Sequence, residues 1–145
     1  MTSLTLAVVL HASVLATGAN NHFVSYAEAH KVNAETGRPL VVLIGADWCP
    51  ACVQMKSAVP QLAQKGVLQK VAFTVLNTDH DGPIAQKMMT GGSIPQLIMY
   101  RKTNDGWKRS SLTGSQSTAA IEAFINAGVA AQAQVQAPTN SLGSN

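Results

Sequence analysis

Residues 40–52 read LVVLIGADWCPAC, and this stretch decides the fold. Its first part, Leu40 to Ala46, is an uninterrupted apolar run rich in β-branched residues, which predicts a strand buried on both faces. Cys49 and Cys52 follow at once, and a helical pattern of apolar residues begins there. A Cys-x-x-Cys pair at the point where a buried strand gives way to a helix indicates redox chemistry.

The position of Cys49 favours its thiolate form. At a helix N-terminus the free amides and the helix dipole favour negative charge. Such a setting lowers the pKa of a thiol from about 8.5 to roughly 3.5–7.5. Cys52 lies one turn further along, on the inward face, and close enough to form a disulfide with Cys49. We therefore expect Cys49 to be an exposed nucleophile and Cys52 to be the resolving thiol.

Three other interpretations of the cysteines remain open. A structural disulfide between residues so close in sequence would close a very short loop and add little stability. A zinc site would need two more ligands and, without a second Cys-x-x-Cys pair, would require His30 and His80 to converge on the cysteines. The two cysteines could also be unrelated buried thiols.

The composition predicts one globular domain. The 145 residues are 46% apolar and 12% charged, which excludes disorder over most of the chain. Ten Lys and Arg against seven Asp and Glu give a net charge of +3 without any basic run, so no nucleic-acid partner is expected. No apolar stretch reaches the roughly 18 residues of a membrane-spanning helix, so stable membrane insertion is not expected either.

The N-terminal segment predicts export. Leu4 to Ala16 is apolar and is followed by small residues, a pattern typical of a secretory signal peptide over residues 1–19 with cleavage near Ala19. No Lys or Arg precedes Leu4, and His11 interrupts the apolar run, so Leu4 to Leu10 could instead be the first strand of the fold. The signal peptide predicts that the protein is periplasmic or secreted.

Residues 20–130 form the predicted domain, and the polar, uncharged residues 131–145 are expected to be a disordered tail. A crossover helix should make the first two strands parallel, and a C-terminal hairpin should add an antiparallel pair. The result is an α/β fold with a mixed sheet between helices. The predicted elements are a helix after Ser25 that ends at Gly37, the strand Leu40 to Ala46, a helix after Cys49 kinked by Pro60, the strand Val71 to Asn77, a helix after Asp81, the strands Ile94 to Lys102 and Trp107 to Leu112, and a helix through Ile121 and Val129.

Three short motifs stand at the ends of these elements: GADWCPAC at 45–52, LNTD at 76–79 and GSIP at 92–95. Together with the last helix, they make residues 23–128 resemble the thioredoxin family. The Ala-Asp-Trp-Cys-x-x-Cys form is more similar to the secreted and periplasmic branch than to the cytosolic carriers. The resemblance implies a thioredoxin fold, with parallel core strands, a C-terminal antiparallel hairpin and flanking helices.

The resemblance also implies roles for individual residues. Cys49 would attack a substrate disulfide, and Cys52 would resolve the mixed disulfide. Pro95 would be cis and would face the cysteine pair, so that the Ile94 backbone could receive an extended substrate segment by strand addition. Trp48 would shield the pair and contact partners, unless it is only a packing aromatic.

One departure from the family pattern concerns the proton of the buried cysteine. Leu43 stands where family members carry a buried Asp, and Val75 replaces the Lys that often accompanies it. Deprotonation of Cys52 must therefore rely on water or on another base. Asp47, next to the motif, is a candidate, although an acid at that place could simply be a solvated loop residue.

Other departures bear on the direction of electron flow. The Pro50-Ala51 dipeptide lacks the His of strongly oxidising relatives, and Gln96 replaces the usual Thr after Pro95. We expect a thiol–disulfide oxidoreductase that is more reductant than oxidant and uses no cofactor beyond its own cysteines. Its partners would be client proteins with disulfides or thiols and a separate redox donor protein. The alternative is a binding protein of this fold, either an adaptor with a structural disulfide or a copper chaperone using Met55, Met88, Met89 and Met99.

Overall fold

The structure, a computed structural model, describes residues 23–137. The predicted signal peptide at 1–19 and the last part of the predicted tail lie outside the described residues. The elements follow the predicted order, with the helix after Cys49 divided in two. They are α1 (Tyr26–Thr36), β1 (Leu40–Gly45), α2 (Pro50–Ser57), α3 (Val59–Gln64), a 3-10 turn (Leu68–Lys70), β2 (Ala72–Asn77), α4 (Gly82–Met88), β3 (Gln96–Thr103), β4 (Gly106–Thr113) and α5 (Thr118–Gln136).

The four strands form one mixed sheet in the order β2-β1-β3-β4. β1 pairs in parallel with β2 and antiparallel with β3, and β3 forms the predicted hairpin with β4, which lies at the edge of the sheet. This arrangement confirms the α/β architecture and the parallel crossover. It also places the cysteine motif at the carboxyl end of the strand that runs through the middle of the sheet.

The strand β1 is buried along its whole length, as its unbroken apolar sequence predicts. Val41 and Leu43 face a core that is completed by α2, α3 and α5. Val42 and Ile44 face a second core under α1 and α4. Because successive side chains of a strand point to opposite faces, helices on both sides of the sheet require apolar residues at every position.

Local signals set several helix boundaries. Ser25 and Glu28 form the predicted capping box at the start of α1, and Gly37, with φ 71°, ends that helix. The helical pattern after Cys49 is interrupted at Ala58, and a new helix begins with Pro60 in its first turn. Proline lacks the backbone donor that would continue the first helix, so the predicted kink is a full break between two helices.

The predicted start of the tail is wrong, because α5 continues to Gln136 instead of ending near residue 130. The Gln132 side chain explains the extension. It is buried, its Oε1 accepts from the Lys102 N–H at 2.8 Å, and its Nε2 donates to the Gly37 carbonyl at 2.6 Å. These bonds fasten the last turns of α5 to the sheet and to the end of α1.

Strand β3 begins at Gln96, not at Ile94 as predicted, because Pro95 cannot donate a ladder hydrogen bond. Within residues 23–137, no helix is both long enough and apolar enough to cross a bilayer.

Candidate active site

The cysteine pair lies at the junction of β1 and α2. A tight turn connects them, with the Cys49 N–H donating to the Ala46 carbonyl at 3.2 Å. Cys49 is the N-cap residue of α2, and Pro50 occupies its first turn, where a missing N–H costs no hydrogen bond. The sequence thus fixes Cys49 at the N-terminus of the helix, as predicted.

Cys49 and Cys52 form a disulfide in the structure. The backbone N–H of Cys52 donates to the Cys49 sulfur at 3.3 Å. An N–H directed at a sulfur, together with the helix dipole, stabilises negative charge on that sulfur once the disulfide opens. Of the two cysteines, Cys49 is the one at the N-cap position, and its sulfur accepts this N–H.

Both cysteines are buried, Cys49 at 7% exposure and Cys52 at 5%, so the prediction that Cys49 is exposed is wrong. With Ala46 they form a small apolar cluster, against which Ala51 and Ile94 pack. The low exposure means that a partner must approach Cys49 closely before its sulfur can react.

Gly45 allows Cys52 to pack directly under the end of β1. A Cβ atom at position 45 would lie 2.7 Å from the Cys52 Cβ and 3.0 Å from the Cys52 Sγ. Contacts this short do not occur without a shift of one partner, so the close approach depends on glycine. The sequence signal for this role is a glycine at the end of a buried strand, shortly before the cysteine pair.

Trp48 is the largest exposed apolar side chain beside the cysteines, with 69% of its surface accessible. Its indole N–H donates to Asp79 Oδ2 at 3.1 Å, and the Asp79 N–H donates to Asn77 Oδ1 at 2.9 Å. Asn77 in turn donates from Nδ2 to Asp47 Oδ2 at 3.0 Å. This chain of bonds connects the ends of β1 and β2, and sequence reasoning did not assign Asn77 and Asp79 to it.

The Ile94–Pro95 peptide bond is cis, the isomer implied by the resemblance. Pro95 is buried, and its carbonyl accepts from the Gly114 N–H at 2.8 Å. No residue among 23–137 forms a hydrogen bond with the Ile94 backbone. The structure thus brings Ile94 to the cysteine cluster with backbone groups free for a partner.

A groove of about 300 Å³ lies between Trp48 and Ile94. Trp48 forms one wall, and Met89, Gly91, Gly92 and Ile94 contribute to the rest. Trp48 directly precedes Cys49 in sequence, and Ile94 packs against the cysteine cluster, so both ends of the groove adjoin the cysteine pair.

Gln96 holds the loop that precedes Pro95. Its side chain is fully buried, and its Nε2 donates to the carbonyls of Thr90 at 3.0 Å and Ser93 at 2.8 Å. Its Oε1 accepts from the Thr90 N–H at 3.2 Å. The sequence marked Gln96 only as a departure from the family pattern, because a single polar residue does not reveal its partners.

A second, much smaller cavity of about 30 Å³ lies on the other side of Cys52. Leu43 and Val75, partners across β1 and β2, contribute to its apolar wall. Asp47 and Lys56 also line it, with Lys56 Nζ 3.7 Å from Asp47 Oδ1. The two positions where the family carries charged groups therefore do lie beside Cys52, and here both are apolar.

The donor groups considered for zinc or copper lie in several parts of the fold. Within the described part of the chain, no group of three or more His, Cys, Asp or Glu side chains is placed to hold a metal ion. His30 packs against the Tyr26 ring, with centroids 6.0 Å apart. Met55 and Met99 lie in the core on one face of the sheet, whereas Met88 lies in the core on the other. The sheet therefore separates Met55 and Met99 from Met88.

Comparison with known proteins agrees with this geometry. The family described as Thioredoxin matches residues 22–127. The solved structure of Trxlp from Edwardsiella tarda EIB202 is 27% identical with a TM-score of 0.54, and the match covers 71% of this chain and 95% of that chain. Thioredoxin from Thermus thermophilus is 19% identical with a TM-score of 0.59, covering 72% of this chain and 84% of that one. Thioredoxin from Trichomonas vaginalis is 24% identical with a TM-score of 0.56, covering 70% and 87%. No curated protein matches the chain significantly.

Proposed function

The chain belongs to the thioredoxin family, and from that premise we propose that it is a thiol–disulfide oxidoreductase that reduces the disulfides of client proteins. One observation carries the proposal. The Cys49–Cys52 disulfide lies at the N-terminus of α2, with the Cys52 N–H directed at the Cys49 sulfur. This geometry supports a thiolate at Cys49, and the thiolate is the attacking species in disulfide exchange.

In the first step, the Cys49 thiolate of the reduced protein attacks one sulfur of a client disulfide. The client S–S bond breaks, a mixed disulfide with Cys49 forms, and the second client sulfur leaves as a thiolate that takes a proton from water. The free N–H groups of the helix start stabilise the charge that Cys49 carries before the attack.

In the second step, Cys52 loses its proton and attacks the Cys49 sulfur of the mixed disulfide. The Cys49–Cys52 disulfide forms, and the remaining client sulfur leaves and is protonated. Two electrons have passed from the protein to the client. A separate donor protein would then return the cysteines to the dithiol state, and no cofactor is needed beyond the pair itself.

Client binding is proposed for the groove beside the cysteines. An extended client segment would pair with the Ile94 backbone as an added strand next to the buried Pro95, and Trp48 would cover it. In the site itself, Pro50 and Ala51 shape the first turn of α2, and Ala51 packs against the cysteines.

The reducing direction is supported by the dipeptide between the cysteines. Pro50 and Ala51 provide no side chain that can donate a hydrogen bond to the Cys49 thiolate. A thiolate with less stabilisation makes the reduced form less favoured and the dithiol a better electron donor. An exported location follows from the predicted signal peptide alone, and the mass of the purified mature protein after expression in a bacterium would test cleavage near Ala19.

Substitution of the resolving cysteine tests the activity. In Cys52→Ser, Cys49 can still attack a client, but the mixed disulfide persists and can be isolated. The matched control is Cys49→Ser, which keeps the buried thiol and should trap no client. If Cys52→Ser traps nothing through Cys49, the exchange activity is refuted, and an adaptor with a structural disulfide takes its place.

The reduction potential tests the direction. The Cys49–Cys52 pair is equilibrated in thiol buffers, and the fluorescence of the neighbouring Trp48 reports the fraction oxidised. A reductant should have a potential near about −270 mV, whereas a value near about −120 mV would make the protein an oxidant and refute the proposed direction.

A further inference from the structure

The second step of the proposed reaction needs a base for Cys52. This thiol is almost fully buried, and burial opposes formation of its thiolate. The neighbouring strand positions Leu43 and Val75 are apolar and cannot accept a proton. A proton on Cys52 must therefore leave by another route.

The small cavity beside Cys52 provides one. At about 30 Å³ it has room for a single water molecule, for which about 10–15 Å³ is sufficient. Among the residues that line it, the titratable ones are Cys52, Asp47 and Lys56. Lys56 is a cation and has no lone pair to offer, so Asp47 is the one lining group that can accept the proton.

The Asp47 carboxylate is held in place from two sides. Oδ1 lies 3.7 Å from Lys56 Nζ, and Oδ2 accepts from Asn77 Nδ2 at 3.0 Å. Each carboxylate oxygen has two acceptor sites, so both oxygens keep one for a water in the cavity. Asp81, a second acid bonded to Asn77, does not line the cavity, and its Oδ2 accepts from the Asn77 N–H at 2.8 Å. Asp47 itself is 70% exposed and can exchange protons with bulk solvent.

We propose that Asp47, acting through a water in this cavity, is the base that takes the Cys52 proton during resolution of the mixed disulfide, with Lys56 and Asn77 as its positioning residues. This inference rests on the proposed exchange activity. As Cys52 attacks the Cys49 sulfur, its proton passes to the water, a proton of that water passes to Asp47, and Asp47 releases it to solvent. The client sulfur leaves with the electron pair of the broken bond.

The test separates the two chemical steps. The reduced protein is mixed with an equimolar amount of dithiobis(nitrobenzoate), and the release of coloured thionitrobenzoate is followed by stopped flow. Attack by Cys49 releases the first thionitrobenzoate at a rate that depends on concentration. Attack by Cys52 on the mixed disulfide releases the second in a first-order phase that does not. The first phase reports the proposed activity, and the second reports the role of Asp47.

We expect Asp47→Asn to slow the second phase about tenfold at neutral pH, which is below the usual range for a direct general base because a water intervenes. Asp47→Glu should restore most of the rate. Glu122→Gln removes an equally negative side chain, the partner of Lys65 at 2.6 Å, and should change neither phase. Asp47 is exposed and Glu122 is partly exposed, so all three variants should fold.

The direction of the rate change in Asp47→Asn distinguishes loss of a base from loss of a negative charge. Removing a negative charge near the cysteines favours both thiolates, and on that account alone Asp47→Asn would speed both phases. A slower second phase with an unslowed first phase therefore supports the proton route. An unchanged or faster second phase in Asp47→Asn would overturn it while leaving the activity intact. If the wild-type protein releases no thionitrobenzoate in a rapid first phase, the proposed activity itself fails.

Discussion

Two buried glutamines lie at opposite ends of the sheet. In both, the side-chain amide forms hydrogen bonds with backbone groups of neighbouring segments. Gln96 bonds to Thr90 and Ser93, in the loop that leads into Pro95 and the groove beside Trp48. Gln132 bonds to Lys102, near the far end of β3, and to Gly37, at the end of α1. One amide holds a segment of the active site, and the other joins three elements of the scaffold.

Because only one of these glutamines lies near the cysteines, substitutions at the two ends of the sheet should have different effects. A change at the cysteine end should alter both stability and disulfide exchange, because the same contacts that hold the fold also place Cys49 and its groove. A change at the far end should alter stability alone, because nothing there reaches the reacting sulfurs. The following variants test that division, with the rate of the first thionitrobenzoate release as the measure of exchange and urea unfolding as the measure of stability.

The largest effect is expected for Gly45→Ala at the cysteine end. Its Cβ would meet the Cys52 Cβ at 2.7 Å, so the end of β1 or the first turn of α2 must move. We expect a loss of about 3 kcal/mol in the free energy of unfolding, the upper part of the range for overpacking. The displaced cysteines should also exchange about tenfold more slowly, because misplacement of reacting groups costs rate.

Gly128→Ala is the matched control. Its Cβ would meet the terminal atoms of the Met99 side chain, which can rotate away, and the position lies in α5 rather than beside the cysteines. The variant should lose less stability than Gly45→Ala and keep the wild-type exchange rate. Equal slowing of exchange in both glycine variants would contradict the division between the two ends.

The next effect is expected for Gln96→Ala. Loss of the buried amide leaves the backbone groups of Thr90 and Ser93 without their partner, and about 2 kcal/mol of stability should be lost. The loop before Pro95 would then move more freely, so exchange with a protein disulfide should slow more than exchange with the small aromatic disulfide. A variant that is destabilised yet reduces both substrates at wild-type rates would show that the loop plays no part in client binding.

A smaller loss of about 1 kcal/mol is expected for Gln132→Ala, whose bonds are both to backbone groups near the surface. Exchange should remain at the wild-type rate with both substrates. Amide hydrogen exchange should show faster opening of the last turns of α5. Slower disulfide exchange in this variant would mean that the packing at the far end of the sheet affects the reactivity of the cysteines.

The smallest effect is expected at the capping box of α1, which contacts neither glutamine. Hydrogen bonds from the backbone N–H and then the hydroxyl of Ser25 hold the pKa of Glu28 below its usual range. A carboxyl whose pKa is lowered by folding contributes stability above its unfolded pKa and loses that contribution as the pH falls through the folded pKa. Glu28→Gln should therefore be less stable than wild type at neutral pH and equally stable in acid, as urea unfolding at the two pH values can measure.

Much of the fold could be predicted because its signals are local. The buried run of β1, the capping box at Ser25 and the turn at Gly37 each act within a few residues. The cysteine pair was identifiable because its spacing coincides with the start of a helix. Each of these features depends on neighbours in sequence, and periodicity and capping rules describe such neighbours well.

The features that sequence did not predict depend on distant partners. Gln132 extends α5 by forming hydrogen bonds with backbone groups 30 and 95 positions away in the sequence. The sequence of residues 131–136 alone does not predict these partners. The role of Gln96 depends on where the chain before Pro95 runs, and the role of Gly45 on where Cys52 packs. Asp47 was recognised as a candidate base, but the cavity that connects it to Cys52 forms only when β1, β2 and α2 come together.

Strand β4 at the edge of the sheet has a consequence for how this protein behaves in a crowded solution. In the hairpin Lys108 lies opposite Arg101, and Arg109 follows it, so the outer strand is bordered by positive charge. An open strand edge is a template on which a second chain can add its own strand, the first event in β-sheet aggregation. Two copies that met along β4 would bring these cations together, and like charges on neighbouring strands repel. The repulsion therefore opposes aggregation along this edge, so the sheet can end here without further protein to cover it.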